Sequence, residues 1–418
     1  MAALWSRLRQ PSTLYIVVSL LVSFVGFARA FLFMKSLGLV ELGVLVFVQA
    51  IAQGVVMLQF GLINGGYRIY ATDAERDQVK INNLLFSFFG CLLGALVLLW
   101  AGVAASGIAF EVSDPMLLAG ALLGIAMLAS NWLTNTLLGS KLIAELNSIN
   151  LLAVAIGVAV LPVAYFWGLW GALGATAAQP LVFVLLCLWR NKQLRPTRWA
   201  YDRALLGRVI GFGFIPFVAG IFVLLNYQIE RWAIAGMLGA EALGRFYLVF
   251  LYASLFALVP GAVSSIFFPD AIRAFQSGRM DEFRRIIRKH LVMLLAYLVP
   301  VLLLTVFALP PLVALVFPIH RENVGFVFLF LPGLVALVLC DPLTQVLNSA
   351  LRLQVILWTG LASIVMFGGL ILGAHRLGMF SLGAMASIKS AVNIAVFLIF
   401  LAYLARHRRA ILFARPGP

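Results

Sequence analysis

The chain has 418 residues, 63% of them hydrophobic and only 11% charged, with a mean hydropathy of +1.07. These values exclude an ordinary soluble domain and point to an integral membrane protein. The formal net charge of +15 could suit nucleic acid, but the cations follow the gaps between apolar runs, which excludes that partner and fits membrane topology and anionic lipid.

A helical crossing takes roughly 20 apolar residues. The period-two alternation of a barrel strand is absent, so the spans are predicted as helices. In chain order they lie near 13–34, 37–62, 82–106, 115–138, 147–167, 170–189, 209–229, 241–264, 291–312, 325–347, 354–374 and 380–404. The first run, after Arg7 and Arg9, also reads as a signal peptide cut near Ala28-Arg29-Ala30. Continuation of the apolar stretch through Phe31 to Met34 favours a full crossing.

Basic residues collect after every second span. They are Arg68, Arg76 and Lys80, then Lys141, then Arg190, Lys192, Arg195, Arg198, Arg203 and Arg208, then the segment Arg273 to Lys289, then Arg352, and finally Arg406, Arg408, Arg409 and Arg415. With Arg7 and Arg9 they put most of the 30 Lys and Arg residues on one side, and the positive-inside rule makes that side cytoplasmic, with both termini there.

Two echoes run through the chain. The frame L-G-x-x-x-L-G occurs as LGLVELG from Leu37 and as LGAEALG from Leu238, each with an internal acid, Glu41 and Glu241. Leu173-Gly174-Ala175 and Leu382-Gly383-Ala384 repeat at nearly the same offset. Both echoes imply six spans duplicated into twelve. The expected fold is an all-α integral membrane protein of about 12 transmembrane helices in two six-helix lobes around a central cleft. The lobes are residues 1–195 and 209–418, joined by a basic cytoplasmic linker, 196–208.

No phosphate loop, G-x-S-x-G or H-E-x-x-H motif occurs. Cys91, Cys187 and Cys340 fall in separate spans, and His290, His320, His375 and His407 never pair at ligand spacing. No catalytic residue, metal or cofactor is therefore predicted. The short loops, the longest on the outer side lying around Pro318 to Asn323, also argue against a membrane enzyme, leaving transport.

Polar groups inside hydrocarbon are costly and mark cavities or internal pairs. Arg29 lies in the outer half of the first span and Lys389 in the middle of the twelfth; Arg231 and Arg245 flank the outer ends of spans seven and eight. Arg29 either lines a cavity or pairs with a buried acid such as Asp341 in span ten, and Arg231 and Arg245 either line it or snorkel beside Glu230 and Glu241. Gln49 and Gln53, Asn131 and Asn135, and Lys389 and Asn393 are each spaced i, i+4 and so share a helical face. Such pairs also serve as interhelical hydrogen bonds, and Gly90/Gly94 and Gly120/Gly124 read as helix packing. A cavity lined by Arg, Lys and amides should take an anionic, hydroxyl-rich ligand, since guanidinium matches phosphate oxygens and amides match sugar hydroxyls. Asp341 is the candidate for ion coupling.

The runs KSLGLVELGVLVFVQAIAQGVVMLQFGLINGGYRIYA and NYQIERWAIAGMLGAEALGRFYLVFLYASLFALVPGAVSSIFFPDAIRAF resemble the two half-starts of a Wzx-type O-antigen/polysaccharide flippase. That group is the polysaccharide-transport branch of the multidrug/oligosaccharidyl-lipid/polysaccharide exporter superfamily. The resemblance implies a multi-pass protein of the bacterial inner membrane that moves undecaprenyl-diphosphate-linked oligosaccharide, an O-antigen, capsule or similar repeat unit, from the cytoplasmic to the periplasmic leaflet. It also implies membrane lipids, a polysaccharide polymerase and a chain-length regulator as partners, with H+ or Na+ coupling. An ion-coupled drug or metabolite exporter of the same superfamily, or an enzyme on lipid-linked sugars, are the alternatives. Drug exporters of the superfamily carry acidic cation sites in the N-terminal lobe, and here no acid lies deeper than Glu41 in spans one to six.

Overall fold

The computed structural model describes residues 11–72, 76–106 and 113–407, so Arg7, Arg9, Arg408, Arg409 and Arg415 lie outside the described residues. Among the described residues all regular secondary structure is helical, with no strand. The helices are α1 (Pro11–Ser36), α2 (Leu39–Met57), α3 (Leu62–Thr72), α4 (Arg76–Ser106), α5 (Asp114–Gly139), α6 (Ile143–Arg190) and α7 (Arg203–Arg245). They continue as α8 (Tyr247–Gln276), α9 (Met280–Phe307), α10 (Leu309–Val316), α11 (Val324–Ser349), α12 (Leu353–Arg376) and α13 (Leu382–Arg406).

Nine of the described helices are long and apolar enough to cross a membrane, ten if the bent α7 is taken as one span. The expected twelve is therefore approximate, for two local reasons. The 48-residue α6 holds the fifth and sixth expected spans on either side of Gly168, whose φ of 53° and ψ of −132° suit glycine alone. The eighth span falls on α8, whose apolar stretch is shorter, Tyr247–Gly261.

Other departures also follow from backbone rather than hydropathy. The second expected span is not one helix: α2 stops at Met57, Phe60 and Gly61 take positive φ, and α3 resumes at Leu62 inside what reads as a polar gap. The ninth begins early, because α9 runs through the basic residues Arg284 to Lys289 as continuous helix.

The chain divides into two compact units, Met1–Gly244 and Arg245–Pro418. In the first, α5 packs on α2, α4 and α6, and α1 packs on α6. Its core centres on fully buried Trp132, whose indole donates to Asn82 Oδ1 at 3.1 Å; the Tyr70 hydroxyl donates to the same oxygen at 2.6 Å. Gly120 and Gly124 seat α5 against Val48, Ile51, Ala52 and Val55 of α2. Gly90 and Gly94 do not act this way: Gly90 receives the ring of Trp199 from the segment after α6, and Gly94 faces open space. In the second unit α11 packs against both α8 and α13, with the Ser390 hydroxyl accepting from Gly333 N at 2.8 Å.

The two copies of the L-G-x-x-x-L-G frame meet within the first unit. A Cβ on Gly43 would lie 1.7 Å from the carbonyl oxygen of Ala240, and one on Gly244 would lie 1.8 Å from that of Leu39. Backbone rests on backbone in both directions, which only glycine permits. The acid of the first copy caps its own helix, Glu41 Oε2 accepting from Gly38 N at 3.0 Å.

Candidate functional site

Three of the polar locations within the spans bear on function. In the first unit, a cavity of about 200 Å³ is bounded by α1, α5 and α6. Arg29 of α1 stands on one wall, Ser130 and Asn131 of α5 on another, and Asn150, Thr176 and Gln179 of α6 on the third; Leu123, Met127, Pro180 and Phe183 complete it. Among the described residues no carboxylate lines it. Arg29 reaches α6 with Nη1 3.5 Å from the Ala175 carbonyl oxygen, within the Leu173-Gly174-Ala175 echo.

Arg29 and Asn131, both anticipated from sequence, are thus brought into one cavity. The Gln53 amide sits 4.0 Å from the sulfur of Met127, a lining residue, and Gln49 lies half-buried one turn before it. Asn135 is one turn along α5, its amide donating to the Asn131 carbonyl oxygen at 2.8 Å, so it acts on its own helix. Ser130, Asn150, Thr176 and Gln179 were missed in the sequence, although each is a polar residue inside an apolar run, the signal that singled out Asn131.

Lys389 and Asn393 form a second location, on α13. Both are buried, at 3% and 4% exposure, and the Lys389 ammonium lies 4.7 Å from the centroid of the Phe367 ring on α12. A desolvated cation over an aromatic face is stabilised by the ring quadrupole, by about 2 kcal/mol. The Asn393 amide nitrogen is buried without a hydrogen-bond acceptor among the described residues. Arg231 and Arg245 belong instead to the last third of α7, Arg231 half-buried beside buried Glu230, and Arg245 exposed beyond the break at Gly239.

The third location is a polar chain in the second unit. Ser264 Oγ donates to Asp341 Oδ2 at 3.0 Å, and His290 Nε2 lies 3.2 Å from the same Ser264 oxygen. His290 Nδ1 lies 3.1 Å from Gln345 Oε1, while Gln345 Nε2 donates to the Ser264 carbonyl oxygen at 3.2 Å. The imidazole is fully buried and stacks on Phe267, ring centroids 5.4 Å apart. The Gln345 nitrogen is committed to a carbonyl, so its oxygen must face Nδ1. The Ser264 hydroxyl has one proton to give, to Asp341 or to His290 Nε2, so one of these two acceptors must carry a proton of its own. One proton held on His290 or on Asp341 satisfies the chain throughout; releasing it leaves one of the two without a donor. The i, i+4 spacing of Asp341 and Gln345 was visible in the sequence, whereas His290 was hidden at the end of a basic run.

No protein-family model matches the sequence, and no curated protein does. Solved structures do. An inward-facing multidrug resistance MATE family transporter of the MOP superfamily superimposes with a TM-score of 0.73 at 13% identity, over 95% of this chain and 96% of that one. The lipid II flippase MurJ, inward closed, superimposes with a TM-score of 0.72 at 12% identity, over 94% and 87%. A MOP superfamily transporter from Pyrococcus furiosus, described as having a binding pocket of reverse polarity, gives 0.60 at 14% identity over 97% of each chain. At such identities the likeness establishes architecture: this chain is a multi-pass helical membrane protein with the fold of the MATE and MurJ transporters.

Proposed function

We propose that this protein is a transporter of the MATE and MurJ superfamily, of the Wzx-type flippase branch. Its cargo in this reading is an undecaprenyl-diphosphate-linked oligosaccharide, carried from the cytoplasmic to the periplasmic leaflet of the bacterial inner membrane by alternating access. The observation that carries the reading is the cavity around Arg29: one permanent cation, three amides and two hydroxyls, with no acid among the described residues that line it. A guanidinium offers paired donors to phosphate oxygens, and amides and hydroxyls offer exchangeable donors and acceptors to sugar. The opposite charge would be needed to hold a cationic drug.

The Ser264–His290–Asp341–Gln345 chain is the coupling site in this proposal, and the proton is its ion, because one proton completes the hydrogen-bond pattern. The two six-helix lobes, both cytoplasmic termini, and the polymerase and chain-length regulator as partners belong to the same reading. The fold also supports an ion-coupled exporter of drugs or metabolites, since MATE transporters share it.

The test is deletion of the gene in its host, with quantification of lipid-linked oligosaccharide on each leaflet. Intact repeat units should accumulate on the cytoplasmic leaflet, with rescue by wild type and none by Arg29→Ala present at equal membrane level. Absence of accumulation would move the assignment to an exporter; full rescue by Arg29→Ala would remove the cavity from the mechanism.

A further inference from the structure

A second cavity of the first unit, about 450 Å³, plays no part in the transport reading. It lies where the segment between α6 and α7 folds back over the beginning of α4. Hydrogen bonds to α4 tie that segment down, the shortest of them from Thr197 N to Asn83 Oδ1 at 2.8 Å, from Ala200 N to Ser87 Oγ at 2.9 Å and from Asn83 Nδ2 to Thr197 Oγ1 at 3.1 Å. The ring of Trp199 passes directly over Gly90, where a Cβ would fall 2.2 Å from it. The walls are apolar, formed by Phe86, Phe89, Leu93, Ile125 and Ala129, and Arg198 stands at the mouth.

Three features identify the occupant. Exposed Trp199 lines the cavity, with exposed Trp189 at the end of α6 and exposed Tyr201 two residues further along the chain, and such aromatics mark the membrane–water boundary, which puts the opening at headgroup level. From Phe86 to Leu93 its wall follows α4 for about 10 Å, in the direction of the hydrocarbon. The charge at the mouth is single and available. Arg195 donates to the carbonyl oxygens of Leu188 and Trp189, capping α6, and Arg190 donates to Ser148; Arg198 donates through its backbone N to Asn83 Oδ1 at 3.5 Å, while its exposed guanidinium makes no hydrogen bond or ion pair among the described residues. One free guanidinium above an apolar slot complements a monoanionic phosphodiester carrying an acyl chain.

We infer that this cavity is a resident site for an anionic glycerophospholipid, with the phosphate on Arg198 and one acyl chain between α4 and α5. The lipid joins the docked segment to α4 and so steadies the connection from α6 into α7. The site is independent of the cargo.

The test is native mass spectrometry of the detergent-purified full chain titrated with phosphatidylglycerol and, separately, with phosphatidylcholine of the same acyl composition. Phosphatidylglycerol should be retained about fivefold better, the order one surface cation contributes. Arg198→Ala should abolish that preference and Arg198→Lys should keep most of it. Gly90→Ala, which drives Trp199 off α4, should reduce retention of both lipids. Equal retention of the two lipids by wild type, or an unchanged preference in Arg198→Ala, would overturn the inference. Displacement of the lipid by glycerol 3-phosphate alone would overturn it too, by showing a headgroup site without a chain.

Discussion

Replacing Gly43 by Ala adds one methyl group at the point where the two echoed segments touch. The new carbon would sit 1.7 Å from the Ala240 oxygen and 2.6 Å from its carbonyl carbon, against 3.4 Å or more in ordinary contact. The backbones must separate by roughly 1.5 Å, since neither side has a rotamer that could yield. Overpacking costs about 1–3 kcal/mol, and a backbone-on-backbone clash belongs at the top of that range. The helix propensity of alanine returns about 1 kcal/mol, so a net loss of about 2 kcal/mol is expected. For a unit of this size that lowers the Tm by roughly 4–8 °C, measured by tryptophan fluorescence in one detergent at one scan rate. Gly94→Ala is the matched control: its Cβ meets nothing within 4 Å, and the propensity gain alone should raise the Tm slightly. Gly43→Ala combined with Gly244→Ala should cost clearly less than the two single changes together, because one separation relieves both clashes. Additive losses, or a Gly43→Ala variant as stable as Gly94→Ala, would refute the contact.

Further outcomes concern the polar sites. Arg29→Ala should lower transport at least tenfold without loss of protein from the membrane, and Arg29→Lys should recover only part of it, because a point charge lacks the paired donors of the guanidinium; leaflet-resolved cargo assays read both. Asp341→Asn and His290→Gln should each remove the dependence of transport on an imposed pH gradient while leaving cargo binding intact, and a gradient response surviving in both would discard the proton chain. Lys389→Met keeps the packing against Phe367 and should leave the Tm within about 1 kcal/mol equivalent, while Lys389→Ala should cost about 2 kcal/mol or more through the cavity it leaves. A large Tm loss in Lys389→Met would show that the ammonium itself holds α12 to α13.

Apolar runs reveal helices well because length and hydropathy are properties of consecutive residues. They do not reveal breaks such as Phe60-Gly61 and Gly168, which depend on backbone dihedrals at single positions. Hydropathy likewise ended the polar gap at His290 and began the next span at Leu291, although α9 passes through both without interruption. Arg29 and Asn131 were legible because a charge and an amide stand out in apolar surroundings. Their meeting with Asn150 and Gln179 was not, because which faces of α1, α5 and α6 turn toward one another is decided by packing between helices distant in sequence. The glycines at 43 and 244 were legible as a repeat, but the repeat carried no sign that its copies touch.

That contact has a mechanical character of its own. Where side chains separate two helices, a small shift is absorbed by rotamers and the energy rises gradually. At Gly43 and Gly244 there is nothing to adjust: the carbonyls of Ala240 and Leu39 occupy the space where Cβ atoms would be. Such a junction behaves as a latch, closed over a narrow range of separation and otherwise fully released. Each duplicated segment supplies both the tooth and the notch, so a sequence change in one copy is felt at once by the other.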